Sequence, residues 1–183
     1  MFRNVVLFLF FLKYKLIYYN KVKFKGYTIV FKFKGSTINI GKGTIINSAF
    51  SSNLLGLYQK TIIISRYGGI INIGENVGIS GTTIYSMSKI SIGNNTMIGA
   101  NCKIIDNDFH PLNSEKRILN DPQDINKREI SIGNNCFIGM NTIILKGSII
   151  GDNSIIGAGS VVSGKYKSNS IICGNPSEII KDN

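Results

Sequence analysis

The chain has 183 residues, 43% of them apolar, three cysteines and a formal charge of +11. That is enough for one domain with a continuous core, and three cysteines do not make a disulfide framework. The charge is one-sided: residues 1–74 carry eleven Lys or Arg and no acid, whereas residues 75–183 carry ten of each sign. Such asymmetry points away from a nucleic-acid partner, which a uniformly basic protein would imply. It leaves a basic end that is either a solvated face or a surface meeting an anionic one. The abundant Ile, Asn and Lys read as a compositional bias rather than as signals at single positions.

Residues 1–34 read as an apolar and basic N-terminal segment. Its run Val5-Val6-Leu7-Phe8-Leu9-Phe10-Phe11-Leu12 has eight residues, against about 20 needed to span a bilayer. No small-residue cleavage site follows, and Lys13 and Lys15 come directly after. That argues against a signal peptide and for a reducing cytoplasm. Two readings stand side by side. The run could cap the open end of the repeat structure that follows. Alternatively it lies in a membrane interface, with Lys13, Lys15, Lys21, Lys23 and Lys25 over anionic headgroups, giving a peripheral contact with the inner leaflet.

Residues 35–174 repeat every six residues. Ile40-Gly41 and Ile46 open the pattern, and the phase is irregular over 47–72. It resumes at Ile73 and Ile79 with Gly74, gains one residue between Tyr85 and Ile92, and continues through Ile98 and Ile104 with Gly93 and Gly99. From Ile132 the series Ile138, Ile144, Ile150, Ile156 and Val162 has no gap, and Gly133, Gly139, Gly151 and Gly157 follow four of its aliphatics. A six-residue period is neither helical nor a simple strand alternation. It predicts a parallel β-helix in which each coil buries its apolar edge against the next. The aliphatic points inward, and the glycine fits where a Cβ would crowd a tight turn. Thr96, Cys102, Cys136, Thr142, Ser148, Ser154 and Ser160 fill the second, smaller inward position. Cys102 and Cys136 are thus core residues, while Cys173 lies near the C-terminus.

The coils break between Asp106 and Glu129. This 24-residue stretch is polar and contains Pro111 and Pro122, so it is an excursion from the coil, and long loops in compact domains are usually functional or disordered. It holds the one histidine of the chain, His110, in Asp106-Asn107-Asp108-Phe109-His110-Pro111-Leu112. Imidazole suits proton transfer near neutral pH, and Asp106 or Asp108 is placed to hold its tautomer. The tail, residues 175–183, opens with Asn175-Pro176 as N-cap and first helical residue, predicting a short terminal helix through Lys181.

The hexads, the DNDFHPL loop, the run FIGMNTIILKGSIIGDNSIIGAGSVVS and the tail GNPSEIIK resemble the hexapeptide-repeat acyltransferases. Within them the chain is most similar to the maltose, galactoside and polysaccharide O-acetyltransferase branch, over roughly residues 70–183. The resemblance implies a left-handed parallel β-helix, a homotrimer, and acetyl-CoA in the cleft between neighbouring subunits, with no metal required. By it, His110 is the general base that deprotonates an acceptor hydroxyl, with Asp106 or Asp108 beside it. Phe137 stands where the family often has Trp beside the cofactor arm. Met140 and Ala158 match positions whose backbone N–H groups bond the pantetheine amides. Ser163 matches a usual Thr near the adenine end, and Lys181 matches a basic residue at the CoA phosphate; Ser163-Gly164-Lys165 replaces the usual TKD, so Lys165 supplies that charge from a shifted place. Ser80 falls near a position that helps hold the acceptor. Glu178 departs from a second basic residue common in the family.

The expected activity is therefore acetyl transfer to a sugar hydroxyl, with a glycan or lipid-linked intermediate of surface polysaccharide assembly as acceptor. Transfer to the amine of an amino sugar or xenobiotic would use the same histidine. A non-catalytic solenoid scaffold would leave the histidine loop unexplained. A γ-class carbonic anhydrase shares the fold but needs three imidazoles for its zinc, which one histidine per chain does not provide.

Overall fold

A computed structural model describes residues 21–119 and 121–182. The strands stack into three sheets, which form the faces of a parallel β-helix. The first face holds β1 (Lys23–Lys25), β4 (Ile45–Asn47), β7 (Gly78–Ser80), β10 (Met97–Ala100), β13 (Phe137–Ile138), β16 (Ile155–Ile156) and β19 (Ser170–Gly174). The second holds β2 (Ile29–Lys32), β5 (Ile62–Ser65), β8 (Thr83–Ser86), β11 (Lys103–Ile105), β14 (Ile143–Leu145) and β17 (Val161–Val162). The third holds β3 (Thr37–Ile40), β6 (Ile70–Ile73), β9 (Lys89–Ile92), β12 (Ile130–Ile132), β15 (Ile149–Ile150) and β18 (Lys165–Tyr166). Each strand pairs in parallel with the one three places on, so three strands make a coil and six coils stack.

The inward aliphatics form one continuous column. Ile79, Ile104, Ile138, Ile144 and Val162 have no exposed surface, and Ile132, Ile150 and Ile156 almost none. Each such side chain contributes about 1.5–3 kcal/mol on leaving water. Thr96, Cys102, Cys136, Thr142, Ser148, Ser154 and Ser160 are buried with them, as the repeat predicts. Their hydroxyls are satisfied within the stack: Thr96 Oγ1 donates to the Gly133 carbonyl (2.9 Å) and Ser148 Oγ to the Val162 carbonyl (3.0 Å).

Glycine after the aliphatic has a reason that one turn alone does not supply. A Cβ on Gly93 would lie 2.5 Å from the backbone of Gly133 in the next coil. Close approach of stacked corners excludes the side chain. The left-handed backbone falls instead on asparagine. Asn76, Asn95, Asn135, Asn153 and Asn169 all have φ between +55° and +61°, a conformation asparagine tolerates better than other non-glycine residues. Their amides bond in series up the corner between the third and first faces, from Asn76 through Asn95 (3.3 Å), Asn135 (3.2 Å) and Asn153 (3.1 Å) to Asn169 (3.1 Å). Asn135→Ala removes two rungs and puts alanine at positive φ, with an expected loss of roughly 1–3 kcal/mol. Asn135→Gly keeps the backbone permissive, so in urea denaturation its midpoint should fall between those of alanine and wild type.

Three boundaries differ from expectation. The β-helix begins at Lys23 rather than at residue 35, because β1 and β2 complete a first coil with Val30 buried inside it. The irregular phase over 47–72 resolves into an excursion, 48–61, followed by ordinary strands β5 and β6, with Ile63 and Ile71 fully buried. The expected terminal helix is a strand, β20 (Ser177–Asp182), antiparallel to β19. Asn175-Pro176 serves as the turn of this hairpin, and β20 covers the last open edge of the first face, which would otherwise be left unpaired. The apolar run 5–12, and with it the choice between cap and anchor, lies outside the described residues. Among the described residues no helix is long and apolar enough to cross a membrane.

Candidate functional site

The loop 106–129 leaves the corner between the second and third faces, and its first residues are each tied down. Asp106 is fully buried and accepts hydrogen bonds from Ser86 Oγ (2.6 Å), the Met87 N–H (2.8 Å), the Ser88 N–H (2.9 Å) and Asn107 Nδ2 (3.1 Å). A carboxylate offers about four lone-pair sites, so this one is fully engaged in fastening the loop to the corner between β8 and β9. Asn107 Oδ1 accepts from the Phe109 N–H at 2.9 Å, an Asx turn. The Asp108 N–H donates to the Asn126 carbonyl (3.0 Å), and Asp108 Oδ1 accepts from Lys146 Nζ at 2.5 Å. Phe109 sits at φ +60°, a strained backbone for a bulky residue, and its ring lies 4.7 Å from that of Tyr85.

His110 follows this run of anchors. Its N–H donates to the Asp108 carbonyl at 2.6 Å, and the residue is exposed while Pro111 behind it is buried. His110 is thus an exposed residue on a loop base fixed at four consecutive residues. The structure gives Asp106 to the base of the loop. Asp108 accepts the His110 backbone N–H with its main-chain carbonyl, while its carboxylate is turned to Lys146. Sequence reasoning missed Lys146, the partner of Asp108. It occupies the same corner one coil further on, so the interrupted hexad register places it there.

A groove lies elsewhere, on the first face. Strand register aligns Lys23, Ile45, Gly78, Met97, Phe137, Ile155 and Ile171 in one outward column. Gly78 has no side chain to fill its place, and the notch belongs to a groove of about 390 Å³ lined by Ile45, Asn47, Asn53, Ser80, Met97 and Phe137, among others. Ser80 Oγ accepts from Asn47 Nδ2 at 3.0 Å. The residues assigned from sequence to acceptor (Ser80) and cofactor (Phe137) therefore share one groove. Asn53 brings in the excursion 48–61 as a wall, which sequence reasoning left as irregular phase. Tyr58 of the same excursion bonds Asn141 Oδ1 (3.3 Å), and Gln59 bonds the Gly81 carbonyl and Lys103 Nζ.

Met140 and Ala158 stand at the corner between the first and second faces, in successive coils. Beside them the Asn141 N–H donates to the Ala100 carbonyl (2.8 Å) and the Gly159 N–H to the Met140 carbonyl (2.9 Å), fixing the stack at that corner. Lys181 pairs with Ile171, in line with Phe137 and Ile155 at the end of the first face. Ser163 lies beyond the far end of β17, and Lys165 lies on the third face. The structure thus brings Ser80 and Phe137 into one groove, stacks Met140 and Ala158 at the neighbouring corner, aligns Lys181 with Phe137, and sets Ser163 and Lys165 around a corner. In a triangular coil the corner that bears His110 is opposite the face that bears the groove.

Cys102 and Cys136 are buried core residues. Burial raises the Cys102 thiol to about 11, and burial also raises that of Cys136, so both stay protonated and poorly nucleophilic. Among the described residues no three His, Cys, Asp or Glu side chains gather as a metal site.

Two family models match the chain: bacterial transferase hexapeptide (six repeats) over residues 129–164, and the hexapeptide repeat of succinyl-transferase over residues 89–104. A Dictyostelium discoideum protein assigned by name as an acetyltransferase is 32% identical over 84% of this chain and 80% of its own length. An Escherichia coli (strain K12) protein assigned as a lipopolysaccharide biosynthesis O-acetyl transferase is 31% identical over 62% of this chain and 61% of its own length. The structure of a galactoside acetyltransferase in complex with coenzyme A shares the fold, with a TM-score of 0.54 and 23% identity over 88% of this chain and 64% of that one. With its left-handed parallel β-helix and its hexad register, the chain belongs to the hexapeptide-repeat acyltransferases.

Proposed function

We propose that the protein transfers an acetyl group from acetyl-CoA to a sugar hydroxyl, with His110 as general base. The observation that carries this reading is the exposed His110 on its four-residue anchored base. His110 takes the proton of the acceptor hydroxyl. The freed oxygen attacks the acetyl carbonyl, the C–S bond breaks, and the proton passes to the departing CoA sulfur. A thioester needs no strong acid to expel its thiol, so a base with oxyanion donors suffices. Acetyl-CoA supplies the activated acyl group when bound. Phe137 would flank its arm, Met140 and Ala158 would present backbone N–H groups, and Lys181 would meet its phosphates, with Ser163 and Lys165 contributing from beyond the corner.

The opposition of His110 and the groove favours a site completed between chains, in a homotrimer. Ser80 and Asn47 give the groove polar contacts for an acceptor hydroxyl, next to apolar Met97 and Phe137. The names of the relatives point to a galactoside or a lipopolysaccharide precursor as the acceptor class. The basic N-terminal part fits a cytoplasmic enzyme working at the inner leaflet. Release of free thiol from acetyl-CoA, measured with galactosides and with amino sugars of matched ring structure, tests the reading. Hydroxyl acceptors should accelerate release, and acceleration by amines alone would overturn it.

A further inference from the structure

The excursion 48–61 is built unlike a loop that merely connects β4 to β5. Its base is fixed: the Ser48 and Ala49 N–H groups donate to the Lys25 carbonyl (2.7 and 2.9 Å), and Leu57 is buried against Gly81. Its tip is the reverse. Leu54 is as exposed as a side chain can be, Phe50 is 76% exposed and Leu55 67%. Three large apolar groups held in water on a short, anchored finger call for a partner surface.

The surroundings say which kind. Residues 21–74 carry eight Lys or Arg and no acid. Of these, Lys25 lines the groove together with Asn53 of the finger, and Lys60 Nζ lies 5.0 Å over the Tyr27 ring at the finger's return. Apolar tips with lysines at the base of the finger match the two parts of an anionic bilayer, acyl chains and headgroups. A nucleic acid would use the lysines but gain nothing from Leu54 and Leu55.

We propose that the finger 48–61 inserts into an anionic lipid bilayer, with Phe50, Leu54 and Leu55 among the acyl chains and Lys25 and Lys60 over the headgroups. The contact is separate from any made by residues 5–12 and does not depend on the transfer chemistry. It has a consequence for that chemistry, because Asn53 belongs both to the finger and to the groove wall. Docking by the finger brings the groove of Ser80 and Phe137 to the membrane surface, where the sugar of a lipid-linked acceptor sits.

The test is co-sedimentation of the full chain with phosphatidylcholine vesicles that contain or lack phosphatidylglycerol. Binding should require phosphatidylglycerol, weaken with added salt, and fall by roughly tenfold or more in Leu54→Ser/Leu55→Ser, with CoA binding and oligomer mass unchanged. Both residues lie outside the core, so the variant is expected to fold, and CoA binding reports that it has. Should the finger variant bind vesicles like wild type, the proposal fails and residues 5–12 are the anchor. A fall in oligomer mass in the same variant would also overturn it, since the finger would then be an intersubunit contact. Loss of CoA binding in wild type, with vesicle binding intact, would remove the transferase reading and leave this one standing.

Discussion

Replacing His110 by alanine is expected to lower acetyl transfer by about 10²–10⁴-fold, the usual contribution of a positioned general base, while CoA binding is retained. The separation is expected because His110 stands on the corner opposite the first face, where Phe137 and the groove lie. A scaffold or cofactor-binding role for the loop would instead change affinity for CoA and leave any residual turnover alone. Asp108→Asn should act on the same step more weakly, since it breaks the ion pair with Lys146 that holds the loop base beside His110 but leaves the base itself in place. The informative readout is the split between turnover and CoA affinity: turnover falls in both variants, further in the alanine one, while the Kd for CoA holds. Unchanged turnover in His110→Ala would end the catalytic assignment of the loop.

Asp106→Ala should produce a loss of another kind, in stability. The change leaves the Met87 and Ser88 N–H groups, buried or nearly so, without the acceptor they now share, and leaves the Ser86 hydroxyl only the Ile70 carbonyl (3.2 Å). Each buried donor left unsatisfied costs about 1–3 kcal/mol, so a total on the order of 3–5 kcal/mol is expected, comparable to breaking a buried charge network. Denaturant midpoints of the purified variant measure it. Activity per CoA-binding molecule should fall as well, because the loop base that aims His110 is the part that loosens. An Asp106 variant of full stability and poor turnover would return this residue to the role of orienting the imidazole.

The contrast between the two aspartates shows what the sequence could carry. Both lie within four residues of His110, and nothing in DNDFHPL tells a buried loop fastener from a carboxylate paired with a lysine of the next coil. The difference is set by the corner between β8 and β9, twenty residues away, whose free N–H groups claim Asp106. The hexad aliphatics were legible because each coil repeats the same inward demand, and every one of them is buried. The asparagines were not, since the chain is rich in Asn throughout and only the stacked coils reveal that Asn76, Asn95, Asn135, Asn153 and Asn169 share one corner and one backbone conformation. β1 and β2 were not legible because they set lysine among aromatic and aliphatic residues and no Gly directly follows their inward aliphatics. The terminal strand was hidden by Asn-Pro, a pair that serves a helix start and a turn equally well, and the choice was made by the open edge of β19.

Both departures from the coil, 48–61 and 106–129, begin and end at corners, and the strands on either side keep their register with the coils above and below. A change of loop length at such a place is therefore invisible to the core. Each doubling of length costs only about 0.6 kcal/mol in closure entropy, well below the margin on which a domain of this size stands. The scaffold is thus under little pressure to conserve either loop's length. Insertions and deletions, more than point substitutions, are the inexpensive route by which a descendant of this chain could take up a new acceptor while its column of isoleucines stays as it is.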